Sequence, residues 1–143
     1  MGNLYDYHAA ADDAQALGIF EDGRVDDRFG TVGLKGVDPF ALLGAIEAAL
    51  TGVPEEQVEA APRFCELLSD PHHEGHWLVS LTDTLRDALA LAGSSRLEEA
   101  ASAWTLTEDG AGHDAELIAD FLERLADLAR DAGQCGLYCG ISL

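Results

Sequence analysis

The sequence predicts an α+β fold: a helix-dominated single globular domain over residues 1–143, with a small two- or three-stranded sheet formed from the N- and C-terminal segments. Three observations carry this. The closing stretch LYCGISL alternates Leu137, Cys139, Ile141 and Leu143 with Tyr138, Gly140 and Ser142, the period of a strand with one buried face. The opening stretch LYDYHAA, from Leu4 to Ala10, is rich in aromatics, which suit a pleated surface. Between them, several segments repeat apolar residues at helical spacing and are bracketed by capping residues. Two or three strands cannot stand alone, so the terminal strands are expected to pair and helices to pack on them.

Taken in order, Asp12 or Asp13 caps a short helix through Leu17 and Phe20, ended by Gly23. Residues 21–37 read as loop, with a short strand at Thr31 to Leu34. In VDPFALLGAIEAALTG, Asp38 is the N-cap, Pro39 takes the first helical position and Gly52 follows the end. Phe40, Leu43, Ile46 and Leu50 line one face. VPEEQVEAAPRFCELL forms a short helix and then a turn or second helix after Pro62. SDPHHEGHW reads as a polar lead-in to a helix, with Trp77 turned into the core. In SLTDTLRDALALAG, Ser80 and Asp83 fit a capping box, and Leu81, Leu85, Ala88, Leu89 and Ala92 recur at helical spacing. Ser95 and Glu98 fit a second box, ahead of Leu97, Ala100, Ala101 and the core anchor Trp104. After the loop EDGAGH, Asp114 opens the longest helix, which runs to about Ala132 before Gly133.

That last helix has two distinct faces. Leu117, Ile118, Phe121, Leu122, Leu125, Leu128 and Ala129 are apolar. Opposite them, Glu116, Asp120, Glu123, Asp127 and Asp131 occupy a stripe roughly 80° wide at about 100° per residue. Arg124 and Arg130 flank it and soften the repulsion.

The net charge of −19, from 27 acidic and 8 basic residues, bounds the function. Such a chain repels nucleic acid and anionic lipid surfaces. It suits a basic protein partner, or solubility alone, or adaptation to high salt. No apolar run approaches a membrane span. The three cysteines, Cys65, Cys135 and Cys139, form an odd set, which with no signal peptide points to a reducing cytoplasm.

The stretches KGVDPFALLGAIEAALTGVP, WLVSLTDTLRDALALA, AASAW and LARDAGQCGLYCGISL together resemble a family of small, acidic, uncharacterised actinobacterial proteins. The resemblance spans nearly the whole chain and rests on caps, apolar faces and the terminal strand. Gly140 stands where that family often has an aromatic. No established activity comes with the family. The resemblance therefore implies a fold and a cytoplasmic setting, and no catalytic residue.

Two candidate sites remain. His72, His73 and His76 lie within five positions and are the candidate metal ligands, with Cys65 as a further recruit. The zinc-protease pattern needs two histidines four apart with a Glu between; HEGH gives only a three-residue spacing, interrupted by Gly75. This set carries the alternative reading, a metal-dependent enzyme such as a hydrolase. The second candidate is the acidic stripe, Glu116, Asp120, Glu123, Asp127 and Asp131, as a docking face for a basic protein, in the manner of an inhibitor or immunity protein. Nucleophile-elbow and P-loop patterns are missing, and GTVGLKG spaces its glycines wrongly for a dinucleotide. Cys139 reads as a small buried hydrophobe. The leading expectation is a non-enzymatic binding module with no cofactor.

Overall fold

Leu4–Ala10 (β1) and Gly136–Ser142 (β4) lie side by side and antiparallel, from Leu4 opposite Ser142 to Ala10 opposite Gly136. This is the computed structural model of the chain, and it describes residues 3–22 and 30–143. Val32–Lys35 (β2) flanks β1 and His76–Ser80 (β3) flanks β4, so the sheet runs β2-β1-β4-β3 with every neighbour antiparallel. Among the described residues, four strands stand where two or three were expected. The additional one is β3, placed in the stretch read as the lead-in to a helix. Trp77, Leu78 and Val79 favour a pleated surface, and Trp77 pairs opposite Ile141 and Val79 opposite Cys139. The outer side of β3 is also covered. Leu68 N–H donates to Leu78 O at 2.9 Å, and Ser80 N–H donates to Glu66 O at 2.9 Å.

The helices are Asp13–Asp22 (α1), Pro39–Thr51 (α2), Glu55–Glu59 (α3), Asp83–Leu91 (α4), Ser94–Thr105 (α5) and Ala115–Ala132 (α6). The stop expected at Gly23 and the loop expected over 23–29 lie outside the described residues. Strand alternation sorts the sheet into two faces. Tyr5, Tyr7, Ala9, Val32, Leu34, Val79, Leu137 and Cys139 join the main core with α2, α4, α5 and α6. Tyr7 packs on Phe121 of α6 with ring centroids 5.1 Å apart. On the other face a smaller cluster joins Ala10, Leu78 and Tyr138 to Ala16, Leu17, Ile19 and Phe20 of α1. The result, among the described residues, is three layers: a helical layer, the sheet, and α1 behind it with Leu68 in the same cluster.

The caps explain most helix ends. Asp38 Oδ1 accepts Phe40 N–H at 2.8 Å, and Gly52, at φ 78°, closes α2 by donating to Ala48 O. The buried face of α2 is Leu42, Leu43 and Ile46, and Phe40 is half exposed, one step round from the face expected. Neither capping box forms. The cap of α4 is Thr82, whose hydroxyl accepts Leu85 N–H at 3.1 Å. Ser80 is still in β3 and donates to Arg63 O at 2.8 Å. Gly93 precedes α5 with no side-chain cap, and Ser95 lies inside the helix. Trp104 is the anchor expected: it is 2% exposed, and its Nε1–H donates to Ala41 O at 3.0 Å, tying α5 to α2. α6 opens on Asp114 as read, although Leu117 is exposed rather than buried.

Candidate functional site

The acidic side of α6 faces outward beside α5. Where the two helices meet, Ser102 on α5 faces Ala115 and Ala119 on α6, and these small side chains leave a groove of about 460 Å³. Its rim is carboxylate: Glu98 from α5, and Glu116, Asp120 and Glu123 from α6. Leu106 is almost fully exposed, and with Ala103 it continues the surface of α5 past Glu98 and Ser102. Of the rim groups, Asp120 pairs with Arg124 at 3.2 Å, an exposed pair one helical turn apart. No ion pair among the described residues involves Glu98, Glu116 or Glu123.

The five residues of the stripe therefore divide. Glu116, Asp120 and Glu123 share the groove. Asp127 lies further along and is engaged with Arg130 at 2.7 Å. Arg130 also donates to Ala90 O at 3.1 Å and Ala92 O at 2.8 Å, the carbonyl end of α4. Asp127 thus orients a structural arginine. Asp131 is exposed beyond the groove. Glu98 is the residue that sequence reasoning placed elsewhere, as a capping partner of Ser95. Its signal was spacing: Leu97 and Ala101 are buried, so Glu98 and Ser102, four apart, share the adjacent outward face.

The histidines sit in the turn that enters β3. Asp70 holds this turn, accepting His72 N–H at 2.9 Å through Oδ1 and His73 N–H at 3.1 Å through its carbonyl. Gly75, at φ 78°, then redirects the chain. His72 and His73 are exposed. His76 is the first residue of β3, its ring 4.2 Å from that of Phe20 on α1 and 6.0 Å from that of His73. Trp77 is half-buried rather than in the core. Among the described residues, no group of three or more His, Cys, Asp or Glu side chains is arranged to hold a metal ion.

Of the other titratable groups, Cys65, Cys139 and Glu47 are buried, and Asp13 is partly exposed. All three cysteines are free. Cys65 lies in the main core at φ 46°, and burial pushes its thiol up to about 12. Burial likewise raises the Cys139 thiol, so neither is a ready nucleophile. Glu47 of α2 is buried and accepts from the hydroxyls of Thr82 and Thr84, the latter at 2.9 Å. Asp13 takes a two-pronged ion pair from Arg63, at 2.6 and 2.8 Å, and accepts Tyr138 O–H at 2.8 Å. The Arg63 bond, aided by Tyr138, holds the Asp13 carboxyl below the usual range.

Comparison with protein-family models, with curated proteins and with solved structures finds no match for this chain. Among the described residues, no helix is long and apolar enough to cross a membrane.

Proposed function

We propose that the chain is a non-enzymatic binding module that docks a basic protein partner on the α5–α6 face, in the manner of an inhibitor or immunity protein. The observation that carries this reading is the groove whose rim brings Glu98, Glu116, Asp120 and Glu123 together from two helices. A concave wall of one charge focuses its field outward and draws a complementary surface into a defined orientation. The net charge of −19 extends that attraction and repels nucleic acid and anionic membranes. The setting we infer is the cytoplasm, where the three thiols stay reduced. Among the described residues, no group of three or more His, Cys, Asp or Glu side chains adds support to the alternative, the hydrolase reading of His72, His73 and His76.

The test uses Glu98→Lys, Glu116→Lys and Glu123→Lys together. These positions hold no ion pair among the described residues, so their reversal leaves the Arg124 and Arg130 contacts intact. The partner captured by the wild-type chain from its source lysate is purified and identified, and its affinity is measured with both proteins in isolation. The expected partner carries net positive charge, its association slows with added salt, and the triple reversal weakens its Kd at least about tenfold. A partner bound equally well by both forms, or no partner at all, sinks the reading.

A further inference from the structure

The second face of the sheet holds a buried histidine that the docking surface does not use. Side chains alternate along β1, which puts Asp6, His8 and Ala10 on the face that α1 covers. His8 is 8% exposed, and its ring stacks on Tyr138 of β4, centroids 5.9 Å apart. Its Nε2 is buried and has no hydrogen-bond partner among the described residues. A neutral imidazole tolerates that position, whereas a protonated one would bury a donor and a charge together.

What covers this face is separable from the rest. Only Ala11 and Asp12 link β1 to α1. α1 contributes one side chain, Ala16, to full burial, and its cluster is distinct from the main core. Its polar fastening is Asp13, held by Arg63 and by the hydroxyl of the Tyr138 on which His8 stacks. Phe20 adds a contact to His76. Elements with small, separate cores open locally at lower cost than the whole molecule.

We propose that α1 is a pH-dependent lid on the second face of the sheet, kept shut while His8 is neutral and released when His8 takes a proton. Among the described residues, the charged and titratable groups that face His8 are Asp6 on its own strand and Tyr138 on β4, and Asp13 of α1, held by Arg63, reaches it through the Tyr138 hydroxyl. Burial, the largest influence, pushes His8 below the ordinary histidine range; the backbone and charge of Asp6 oppose it and are outweighed. The sign follows. A histidine depressed in the closed state stabilises closure fully above about pH 6.5, and that stability is lost as pH falls from there through the depressed value.

Amide-exchange protection from pH 7.5 to 5, corrected for intrinsic rates, tests this. Opening of Ala16 to Phe20 is expected to rise by up to about tenfold per pH unit below about pH 6.5, while α6 stays flat. His8→Phe, which keeps the packing and cannot titrate, is expected to flatten the α1 response. A parallel loss in α1 and α6, or an unchanged slope in His8→Phe, overturns the proposal. A second measurement does not depend on that variant. NMR titration of the His8 imidazole should move upward, toward about 6.5, in Asp13→Asn, because a looser lid hydrates the ring. Loss of a nearby negative charge alone would move it down, so a titration that is unmoved or lowered overturns the proposal as well.

Discussion

Gly110 shows how much one missing methyl group can matter. A Cβ built there would lie 2.0 Å from the carbonyl oxygen of Trp104 and 2.6 Å from its carbon. That oxygen already accepts the Thr107 hydroxyl at 2.6 Å and the Thr107 N–H at 3.0 Å, so the backbone has no room to retreat. Gly52 is the opposite case: nothing lies within 4 Å of its missing Cβ, but φ is 78°. Space constrains the first and backbone conformation the second. Gly110→Ala is expected to cost about 3 kcal/mol through forced movement of the α5 end. Gly52→Ala should cost about 1 kcal/mol. Urea midpoints at constant m-value measure both, and a Gly110→Ala no worse than Gly52→Ala would refute the close approach. In the sequence, EDGAGH was legible as a loop. The need for glycine at position 110 was not, because it comes from a neighbour six residues back across a turn.

Among the elements, α4 depends on Thr82 twice over. Its hydroxyl oxygen accepts Leu85 N–H, and its proton goes to the buried carboxylate of Glu47 on α2. Thr82→Ala removes the cap and half the solvation of a buried charge, with an expected loss of about 2 kcal/mol. Thr82→Ser keeps both bonds and should stay within about 0.5 kcal/mol of wild type. Thermal or urea unfolding of the pair separates a lost hydroxyl from a lost methyl; equal losses in both variants would assign the effect to packing. The same element shows where sequence patterns compete. Ser80 with Asp83 satisfies the capping-box spacing, but Ser80 has already been taken by β3. An apolar run such as WLVSL reads equally as a strand or as the shoulder of a helix, and only pairing with Ile141 and Cys139 decides it. By contrast, β1 and α2 were legible to within a residue or so, since an aromatic-rich run and a pair of caps define them without a distant partner.

For the molecule as a whole, the α+β class and the terminal pairing were legible because the aromatics of β1 and the alternation of β4 each mark a strand locally. The groove was only half legible. The α6 stripe follows from one helix's periodicity, whereas Glu98 joins it only through the docking of α5 on α6. That assembly has an energetic consequence. At pH 7 the chain bears a net charge of −19 and self-repulsion opposes compaction, most strongly where carboxylates from two helices converge. The melting temperature should therefore rise with sodium chloride, with most of the gain complete by about 0.2 M, since the Debye length falls from about 30 Å at 0.01 M to about 8 Å at 0.15 M. A rise continuing into the molar range would instead mark salt adaptation of the entire surface. Replacing Glu98, Glu116 and Glu123 with lysine takes the net charge from −19 to −13, two units for each of three reversals, and should raise the melting temperature at low salt and flatten its salt dependence, because the self-repulsion of the whole chain falls. The same substitutions are expected to weaken docking at least about tenfold, and the two outcomes together carry the reading: carboxylates that weaken the fold and serve no ion pair among the described residues are explained by what they hold outside it. If the reversal lowers stability at low salt, the rim charges are structural and the groove loses its claim as a docking site.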